Sequence, residues 1–447
     1  MEEMALLERA IEEIMAVARR CGLDPFEMRF ELVPAEVMYA FGAYGMPTRF
    51  SHWSFGKAYF KIKTEHDYNL SRIYEMVINT DPCYAFLLEG NSLLQNKLVV
   101  AHVLGHSDFF KHNAYFQHTP RNMLETMAAS AERIRGYELA YGRDVVEAFL
   151  DAVLALQEHV NPYRFIKERP QVDGGTCAGC RENPYCDLWG EYGECEACSQ
   201  NNRKAGRPDA EKDLLLFILQ HAGDLEDWQR DILGIIRGET LYFWPQMQTK
   251  IINEGWATYW HTRIMRAVDL AEDEAVEYAR THAGIVQPYP LRVNPYLLGL
   301  KVFENIEVRW GREAIFEVRS TCDDISFLRN YLTEDVVEEL DLYVYRRTGQ
   351  DWRIVDKTWT TVRDVLVGNL VNCGFPYIVV EDGDYGHRGE LYLRHRYEGV
   401  ELDVYHLERT LPYVFRLWGR PVHLETVLEG RTLIFSYDGE RVLRRTL

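Results

Sequence analysis

Apolar residues recur at helical spacing through most of residues 1–320. In residues 1–22 the apolar positions, among them Leu6 and Ile14, fall on one face, and Gly22 follows the last of them. Such a pattern predicts an amphipathic helix that ends at the glycine. Most of this part of the chain is therefore expected to be helical.

The helical pattern is interrupted early and then continues. Residues 24–61 are rich in aromatic residues and broken by Pro and Gly, which predicts irregular or short elements. From Ser71 to about Val160 the pattern is mostly helical, and Asn91 or Ser92 precedes one helix as a candidate N-cap. Further helices are predicted at residues 122–142, 143–160, 213–283 and 294–311.

The pattern changes after residue 320. Residues 324–347 are still largely helical, but residues 377–399 have the composition and turn signals of a β-hairpin. Residues 403–420 form one helical pattern, and residues 421–447 predict two or three strands with Gly-containing turns.

These elements predict a mainly α fold with two domains. The first is a large helical domain at residues 1–320, interrupted by a Cys-rich module at residues 170–205. The second is a small α/β domain at residues 321–447, in which strands and helices are mixed.

Composition narrows the class of protein. Of the 447 residues, 47% are hydrophobic and 27% are charged, as in a folded, water-soluble protein. The net charge of −19 disfavours sequence-independent binding to nucleic acid or anionic lipid, because both need clustered Lys and Arg. The acidic N-terminus lacks the features of a signal peptide, and no apolar run is long enough for a membrane span, so we expect a cytoplasmic protein.

Five of the nine cysteines lie in the Cys-rich module. Four of them form two C-x2-C pairs, Cys177 with Cys180 and Cys195 with Cys198. Four thiolates at this spacing suit a structural zinc ion, which would stabilise a Gly-rich module that has little core of its own. An iron–sulfur cluster or a redox dithiol is the alternative, and Cys186 is left over.

The helical segment AHVLGHSDFF, residues 101–110, carries His102 and His106. Residues four apart lie on the same face of a helix, one turn above each other, so both imidazoles can bind one metal ion. The spacing is that of the zinc-protease signature H-E-x-x-H, but Val103 stands where the signature has its glutamate. Asp108 lies on a different face and is not expected to be a ligand.

The helical segment KIINEGWATYWHTRIM, residues 250–265, supplies the best third ligand. Glu254 stands there among large apolar residues, and a buried carboxylate needs a partner such as a metal ion. We expect Asn253 and Thr258 to support the ligands, with Thr258 orienting a histidine. His261 lies two turns from Glu254, roughly 10.5 Å along the helix axis, so it is a poorer candidate for the same ion.

The second segment resembles the glutamate-bearing helix of the gluzincin metallopeptidases. The match covers Asn253, Glu254, Gly255 and Ala257 within NEGWATYW. The resemblance implies a zincin-like helical domain, but Val103 and a longer gap between the two helices depart from that pattern. A different group must then accept the proton during hydrolysis. The candidates for this catalytic role are Glu89, His112 and His261.

Longer motifs extend the resemblance to one family. They are HWSFGKAY at residues 52–59, the segment at residues 74–113, INEGWATYWH at 252–261, NPYLLGL at 294–300, HRGELYLRH at 387–395 and LWGRPVHLET at 417–426. These segments resemble the SpoVR family, the stage V sporulation protein R group. The resemblance implies a link to the spore cortex, a peptidoglycan layer, in sporulating bacteria. It also implies association with a serine-kinase-like protein and an accessory protein.

Three functions are consistent with these residues. A divalent ion, zinc or iron, at His102, His106 and Glu254 predicts a hydrolase of an amide or peptide bond. Two histidines and one carboxylate also suit non-haem iron, which predicts an oxidative enzyme. The third is a non-catalytic scaffold or regulator that acts with a kinase-like partner, which Val103 favours. In that case the histidines would be hydrogen-bonded in the core and Glu254 would pair with an arginine such as Arg263.

Overall fold

The computed structural model describes residues 2–67, 75–163, 211–289, 291–349 and 351–447. Within these residues the fold is mainly α, as predicted, with sixteen α-helices and ten short strands. The helices are α1 Glu2–Arg20, α2 Ala35–Tyr44, α3 Trp53–Asp67, α4 Leu93–His112, α5 Met123–Tyr141, α6 Arg143–Leu154, α7 Leu214–His221, α8 Asp227–Gln248, α9 Lys250–Ala267, α10 Glu272–Ile285, α11 Pro295–Trp310, α12 Arg312–Thr321, α13 Asp324–Tyr331, α14 Glu334–Glu339, α15 Trp359–Leu370 and α16 Val404–Trp418. The strands are β1 Met28–Val33, β2 Met76–Ile78, β3 Cys83–Leu88, β4 Val344–Thr348, β5 Asp351–Asp356, β6 Ile378–Tyr385, β7 Glu390–His395, β8 Val422–Leu428, β9 Arg431–Tyr437 and β10 Val442–Thr446. Among the described helices, none has the length and apolar character that crossing a membrane requires.

The chain divides into two compact units, each formed by two stretches of sequence. The first comprises Met1–Ala148 and Gly238–Phe375, and the second comprises Phe149–Arg237 and Pro376–Leu447. Residues 321–375, which the sequence analysis assigns to the C-terminal domain, fall in the first unit. In the C-terminal part of the chain the units therefore change at residue 375, whereas the sequence pattern changes at residue 320.

Helix α4 runs through the core of the first unit. It begins at Ser92, whose Oγ accepts from the Gln95 amide at 3.2 Å while Gln95 Oε1 accepts from the Ser92 amide at 3.0 Å. This reciprocal pair stabilises the first turn, so Ser92 rather than Asn91 is the N-cap. From Asn96 to Phe110 every side chain of the helix is buried, as expected for a helix surrounded by other elements.

Glycines let α9 lie close to both of its neighbours, α4 and α11. A Cβ on Gly105 of α4 would lie 2.7 Å from the Cα of Ala257 on α9. On the other side of α9, a Cβ on Gly255 would lie 2.4 Å from the Cα of Gly299 on α11. Such distances are shorter than any non-bonded carbon contact, so only glycine permits this packing. The close approach places Glu254 of α9 beside the histidines of α4.

A three-stranded sheet of order β1-β3-β2 corrects the sequence analysis in the N-terminal part of the first unit. Strand β1 pairs in parallel with β3, and β2 pairs with β3 in the antiparallel sense. The prediction of mostly helical structure from residue 71 was wrong for β2 and β3. Strand β3, CYAFLL, is a continuous apolar run that is almost entirely buried, and periodicity alone does not separate such a strand from a buried helix.

The second unit contains a five-stranded sheet of order β10-β9-β8-β7-β6, with α16 packed against β8 and β9. The predicted hairpin is formed by β6 and β7, and the predicted C-terminal strands are β8, β9 and β10. Strands β7 and β8 are parallel, and α16 connects them as the crossover helix that a parallel pair requires.

Candidate metal centre

Helix α4 presents two imidazoles to the same space, one turn apart. His102 and His106 are buried, with 3% and 5% of their surfaces exposed, and their ring centroids are 4.7 Å apart. The i, i+4 spacing sets this arrangement, as the sequence predicts. Their Nε2 atoms are the ones turned towards the acidic side chains described next.

Glu254 of α9 lies opposite both histidines. Its Oε2 is 3.5 Å from Nε2 of His102 and 3.5 Å from Nε2 of His106. The predicted arginine partner is engaged elsewhere, because Arg263 forms an ion pair with Glu307. The structure therefore brings together the three residues that the sequence singles out as ligands.

A fourth donor, Glu75, was missed by the sequence analysis. It directly precedes β2, and its Oε1 lies 3.3 Å from Nε2 of His102. One donor atom from each of Glu75, His102, His106 and Glu254 lies within 4.8 Å of the other three. We call these four residues the His/Glu cluster. No local pattern marks Glu75, since it lies outside a helix and reaches the histidines only through the fold.

Two buried atoms of the His/Glu cluster that could donate a lone pair to a metal ion lack an ordinary hydrogen bond. Neither His102 Nε2 nor Glu254 Oε2 has a partner of normal hydrogen-bond geometry among the described residues, although both are shielded from solvent. Buried polar atoms are nearly always partnered, so such an orphaned pair needs a physical reason. A divalent cation between imidazole nitrogens and carboxylate oxygens would supply one, because these are ligands that zinc and iron accept.

Hydrogen bonds fix the orientation of both imidazoles. His106 Nδ1 donates a hydrogen bond to Asn253 Oδ1 at 2.9 Å. In the neutral imidazole this leaves a lone pair on Nε2, which faces the cluster. His102 Nδ1 lies 2.8 Å from Nδ1 of His261, and His261 Nε2 lies 3.1 Å from Nδ1 of His282. When His102 Nδ1 donates to His261 and His261 Nε2 donates to His282, a lone pair is also left on His102 Nε2. Partners of this kind orient ligand histidines in metal sites.

The charges in the His/Glu cluster favour a positive species at its centre. Burial lowers the pKa of His102, but the Glu75 and Glu254 carboxylates outweigh it and raise that pKa to about 9. Burial raises the pKa of Glu254, but the His102 and His106 imidazoles, whose Nε2 atoms lie 3.5 Å from its Oε2, hold it well below the ordinary value. Glu254 therefore stays ionised and attracts either a proton on His102 or a cation between the ligands.

The cluster lies at the wall of a cavity of about 1320 Å³ within the first unit. Tyr296 of α11 lines the same cavity, with its ring centroid 5.9 Å from that of His102. Burial, and then the Glu254 and Glu75 carboxylates, hold the pKa of Tyr296 well above its usual value, so the phenol keeps its proton. Tyr296 is a second residue of the site that the sequence analysis did not single out, although it lies within the motif NPYLLGL.

The predicted general bases lie in three different environments. Glu89 is exposed at the end of β3, and its amide donates to Val33 O. His112 lies 3.2 Å from a carboxylate oxygen of Asp24 at the end of α4. Neither residue lines the cavity, whereas His261 does and contacts His102.

The predicted supporting residues also differ from one another. Asn253 binds His106 as expected from a supporting role. The Thr258 hydroxyl makes no hydrogen bond to a described residue, so the expectation that it orients a histidine is not met there. Asp108, excluded as a ligand, accepts from Trp256 Nε1 at 2.9 Å and pairs with Arg319 at 2.6 Å. Asp108 and Arg319 therefore form a structural ion pair in the core.

The predicted structural zinc site lies outside the described residues. Its ligands would be Cys177, Cys180, Cys195 and Cys198, and the spare thiol is Cys186. The zinc ion at these cysteines stays a prediction.

Comparisons with known proteins agree with the resemblance seen in the motifs. Residues 1–375 match the family model described as SpoVR like protein, and residues 376–429 match the SpoVR-like C-terminal domain. The chain is 33% identical over 331 residues to a protein of Escherichia coli (strain K12) described as uncharacterized protein YcgB. That match covers 68% of this chain and 63% of the relative's length. No solved structure matches the chain. The chain belongs to the SpoVR family.

Proposed function

We propose that the chain is a metal-dependent hydrolase of amide or peptide bonds, with its ion held by His102, His106 and Glu254. The observation that carries the proposal is the His/Glu cluster, in which two orphaned buried donor atoms lie at the wall of a large cavity. A divalent ion held there polarises a carbonyl group and lowers the pKa of water. The remaining steps fall to side chains of this chain.

Glu75 is the residue that we assign as general base in place of the glutamate missing at Val103. The side chain of Val103 is fully buried in α4, whereas that of Glu75 is 23% exposed and lines the cavity. Its carboxylate accepts a proton from the attacking water as the O–C bond forms. It then returns this proton to the leaving amine as the C–N bond breaks.

Tyr296 is the group that we assign to the carbonyl oxygen of the substrate. Its phenol keeps its proton, for the reasons given above, and lies beside both carboxylates at the cavity wall. A phenol hydroxyl donates a hydrogen bond to an oxygen on which negative charge develops, and such a donor lowers the barrier.

The substrate that fits the family is a peptidoglycan peptide. The link of SpoVR proteins to the spore cortex, implied by the resemblance, supports amide bonds of cell-wall precursors as the targets. An oxidative non-haem iron enzyme is the second candidate, because all four donors of the His/Glu cluster are nitrogen or oxygen atoms, a set that suits iron as well as zinc.

The change Glu75→Gln tests the proposed function, measured on purified protein loaded with zinc or iron(II). The probes are muropeptides from digested peptidoglycan and a panel of peptide anilides, and mass spectrometry detects the addition of water. We expect the variant to keep its metal and to lose turnover by roughly 10²–10⁴-fold, the usual contribution of a general base.

Glu89→Gln is the matched control, because it makes the same chemical change outside the cavity. This control should keep the turnover of the unchanged protein. If Glu75→Gln keeps its turnover or loses its metal, the assigned role of Glu75 is wrong. If neither metal supports hydrolysis but iron supports oxidation of a substrate by oxygen, the second candidate replaces the first.

A further inference from the structure

Two cationic side chains line the same cavity as the His/Glu cluster. Lys250 is the first residue of α9, one turn before Glu254, and Arg280 belongs to α10. A turn of helix advances about 5.4 Å, so Lys250 lies near the cluster along the helix axis. Both side chains are exposed to solvent.

Neither side chain has a partner within the described part of the chain. Lys250 and Arg280 form no ion pair or side-chain hydrogen bond with the residues that the structure describes. Other cations of the first unit do have such partners: Lys97 pairs with Glu274 at 2.6 Å, and Arg49 pairs with Glu239 at 2.7 Å. The two cavity cations are therefore available to a ligand.

The balance of charge in the cavity points to an anionic ligand. Three carboxylates line it, those of Glu75, Glu254 and Glu277, and a divalent ion at the His/Glu cluster would balance two of them. Lys250 and Arg280 then outnumber the remaining carboxylate. The cavity would be positive in a chain whose net charge is −19, so the local potential would select for negative ligands.

We propose that Lys250 and Arg280 bind a carboxylate of the substrate, and that the substrate is an acidic peptide. Arginine matches a carboxylate with paired N–H donors, and lysine adds a compact charge, so the two side chains offer complementary donors from two helices that line one cavity. The cavity of about 1320 Å³ exceeds the usual 300–1,000 Å³ of a small-molecule site and so has room for several residues. Both the positive potential of the cavity and the assignment of a substrate rest on the metal ion of the proposed function.

Three fluorescently labelled peptides test this proposal by fluorescence anisotropy. The first is Ala-Ala-Ala with a free C-terminal carboxylate, the second is its C-terminal amide, and the third is Ala-Glu-Ala amide. We expect at least one of the two acidic peptides to bind about tenfold or more tightly than the neutral amide. Whichever acidic peptide binds better tells whether the carboxylate is terminal or on a side chain.

The variants Lys250→Gln and Arg280→Gln should each reduce this preference, and the double variant should abolish it while keeping the metal. Arg135→Gln is the control, since this change removes the same charge from an exposed position on α5, outside the cavity. Equal affinity for all three peptides, no measurable binding, or a preference that survives in the double variant would each overturn the proposal. A different outcome would count against the proposed function alone. In that outcome the Glu254→Gln variant loses its metal, and the unchanged protein binds metal but hydrolyses nothing.

Discussion

Each histidine of the His/Glu cluster is held through its Nδ1 atom and faces the cluster through its Nε2 atom. Asn253 holds His106 at 2.9 Å, and His261 holds His102 at 2.8 Å. A side chain fixed in this way has little rotational freedom to lose when it binds an ion. The cluster is therefore organised before any ligand arrives.

Asn253→Ala removes the acceptor that orients His106. We expect metal affinity to fall by roughly 10–100-fold, the usual effect of losing a residue that orients a ligand histidine, with little change in the fold. Competition with a zinc-binding dye measures the affinity. Thr258→Val is the control from the same helix, because the Thr258 hydroxyl makes no hydrogen bond to a described residue. An equal loss in both variants would show that the loss comes from disturbing α9 rather than from the Asn253 contact.

The residues found from the sequence are those that helical periodicity places together. His102 and His106 share a face by their spacing, and Glu254 stands out as a carboxylate among apolar residues. Glu75 and Tyr296 join the site only because β2 packs against α4 and α11 packs against α9, and no local spacing carries that information. Long-range contacts of this kind need the fold.

At the scale of elements, the position of α9 between α4 and α11 depends on glycine. Gly105→Ala would introduce a Cβ 2.7 Å from the backbone of Ala257, so the two helices must separate. Overpacking of this kind costs about 1–3 kcal/mol of unfolding free energy. It should also lower metal affinity, because Glu254 moves away from the histidines.

Urea unfolding and a metal titration of the same sample measure both effects. Gly136→Ala is the matched control, since Gly136 is exposed on α5 and nothing lies within 4 Å of the position that a Cβ would take there. That change should stabilise the helix by up to ~1 kcal/mol, as expected for alanine replacing glycine. A Gly105→Ala variant as stable as the unchanged protein would show that the helices are not held at this distance.

Asp324 of α13 caps the first turn of α9. Its two carboxylate oxygens accept from the amides of Ile251 and Ile252 at 2.9 and 2.8 Å. Burial raises the pKa of Asp324 from 3.8 to about 7, although these two hydrogen bonds lower it. Between these two values the unfolded chain releases this proton while the folded chain keeps it. The group therefore makes the free energy of unfolding fall as pH rises from about 4 to about 7.

Asp324→Asn removes this titration and should flatten that part of the pH profile. Chemical unfolding at several pH values between about 4 and about 7.5 compares the variant with the unchanged protein. The difference between the two profiles isolates Asp324 from other groups that titrate in this range. Parallel profiles would contradict the raised pKa.

Sequence patterns predicted the helices more reliably than the strands. The N-cap of α4 and the two helices α5 and α6 follow the predictions, because caps and periodicity are local signals. Strands β2 and β3 were missed because the continuous apolar run of β3 does not distinguish a buried strand from a buried helix. Strand β1 lies in a segment predicted only to hold irregular or short elements, and its partner β3 is distant in the sequence. In α1 the predicted face was slightly rotated, since Leu7 rather than Leu6 is buried beside Ile14.

At the scale of the whole molecule, all described parts of the site belong to the first unit. The His/Glu cluster, the cavity and its two cations come from the stretches Met1–Ala148 and Gly238–Phe375. The SpoVR family model ends at residue 375, where this unit also ends, and the C-terminal model begins at residue 376. The sequence pattern changes at residue 320 from helices to a mixture of helices and strands. Such a change does not show which hydrophobic core the following elements pack into, so it did not predict the boundary at residue 375.

The central claim, that the His/Glu cluster holds a metal ion, is tested most directly by counting the metal in the purified protein. The measurement uses the Cys177→Ser, Cys180→Ser background, so that any zinc at the predicted cysteine site is not counted. Elemental mass spectrometry of the acid-digested protein gives metal equivalents per chain. Circular dichroism confirms that each variant is folded.

In this background we predict about one equivalent of a single divalent metal, as expected for one site with histidine and carboxylate ligands. Adding His106→Ala and Glu254→Gln should reduce it nearly to zero while the helical spectrum is kept. A folded background protein without metal, or the same metal content after both ligand changes, would contradict the claim. The His/Glu cluster would then be a buried hydrogen-bonded group rather than a metal centre.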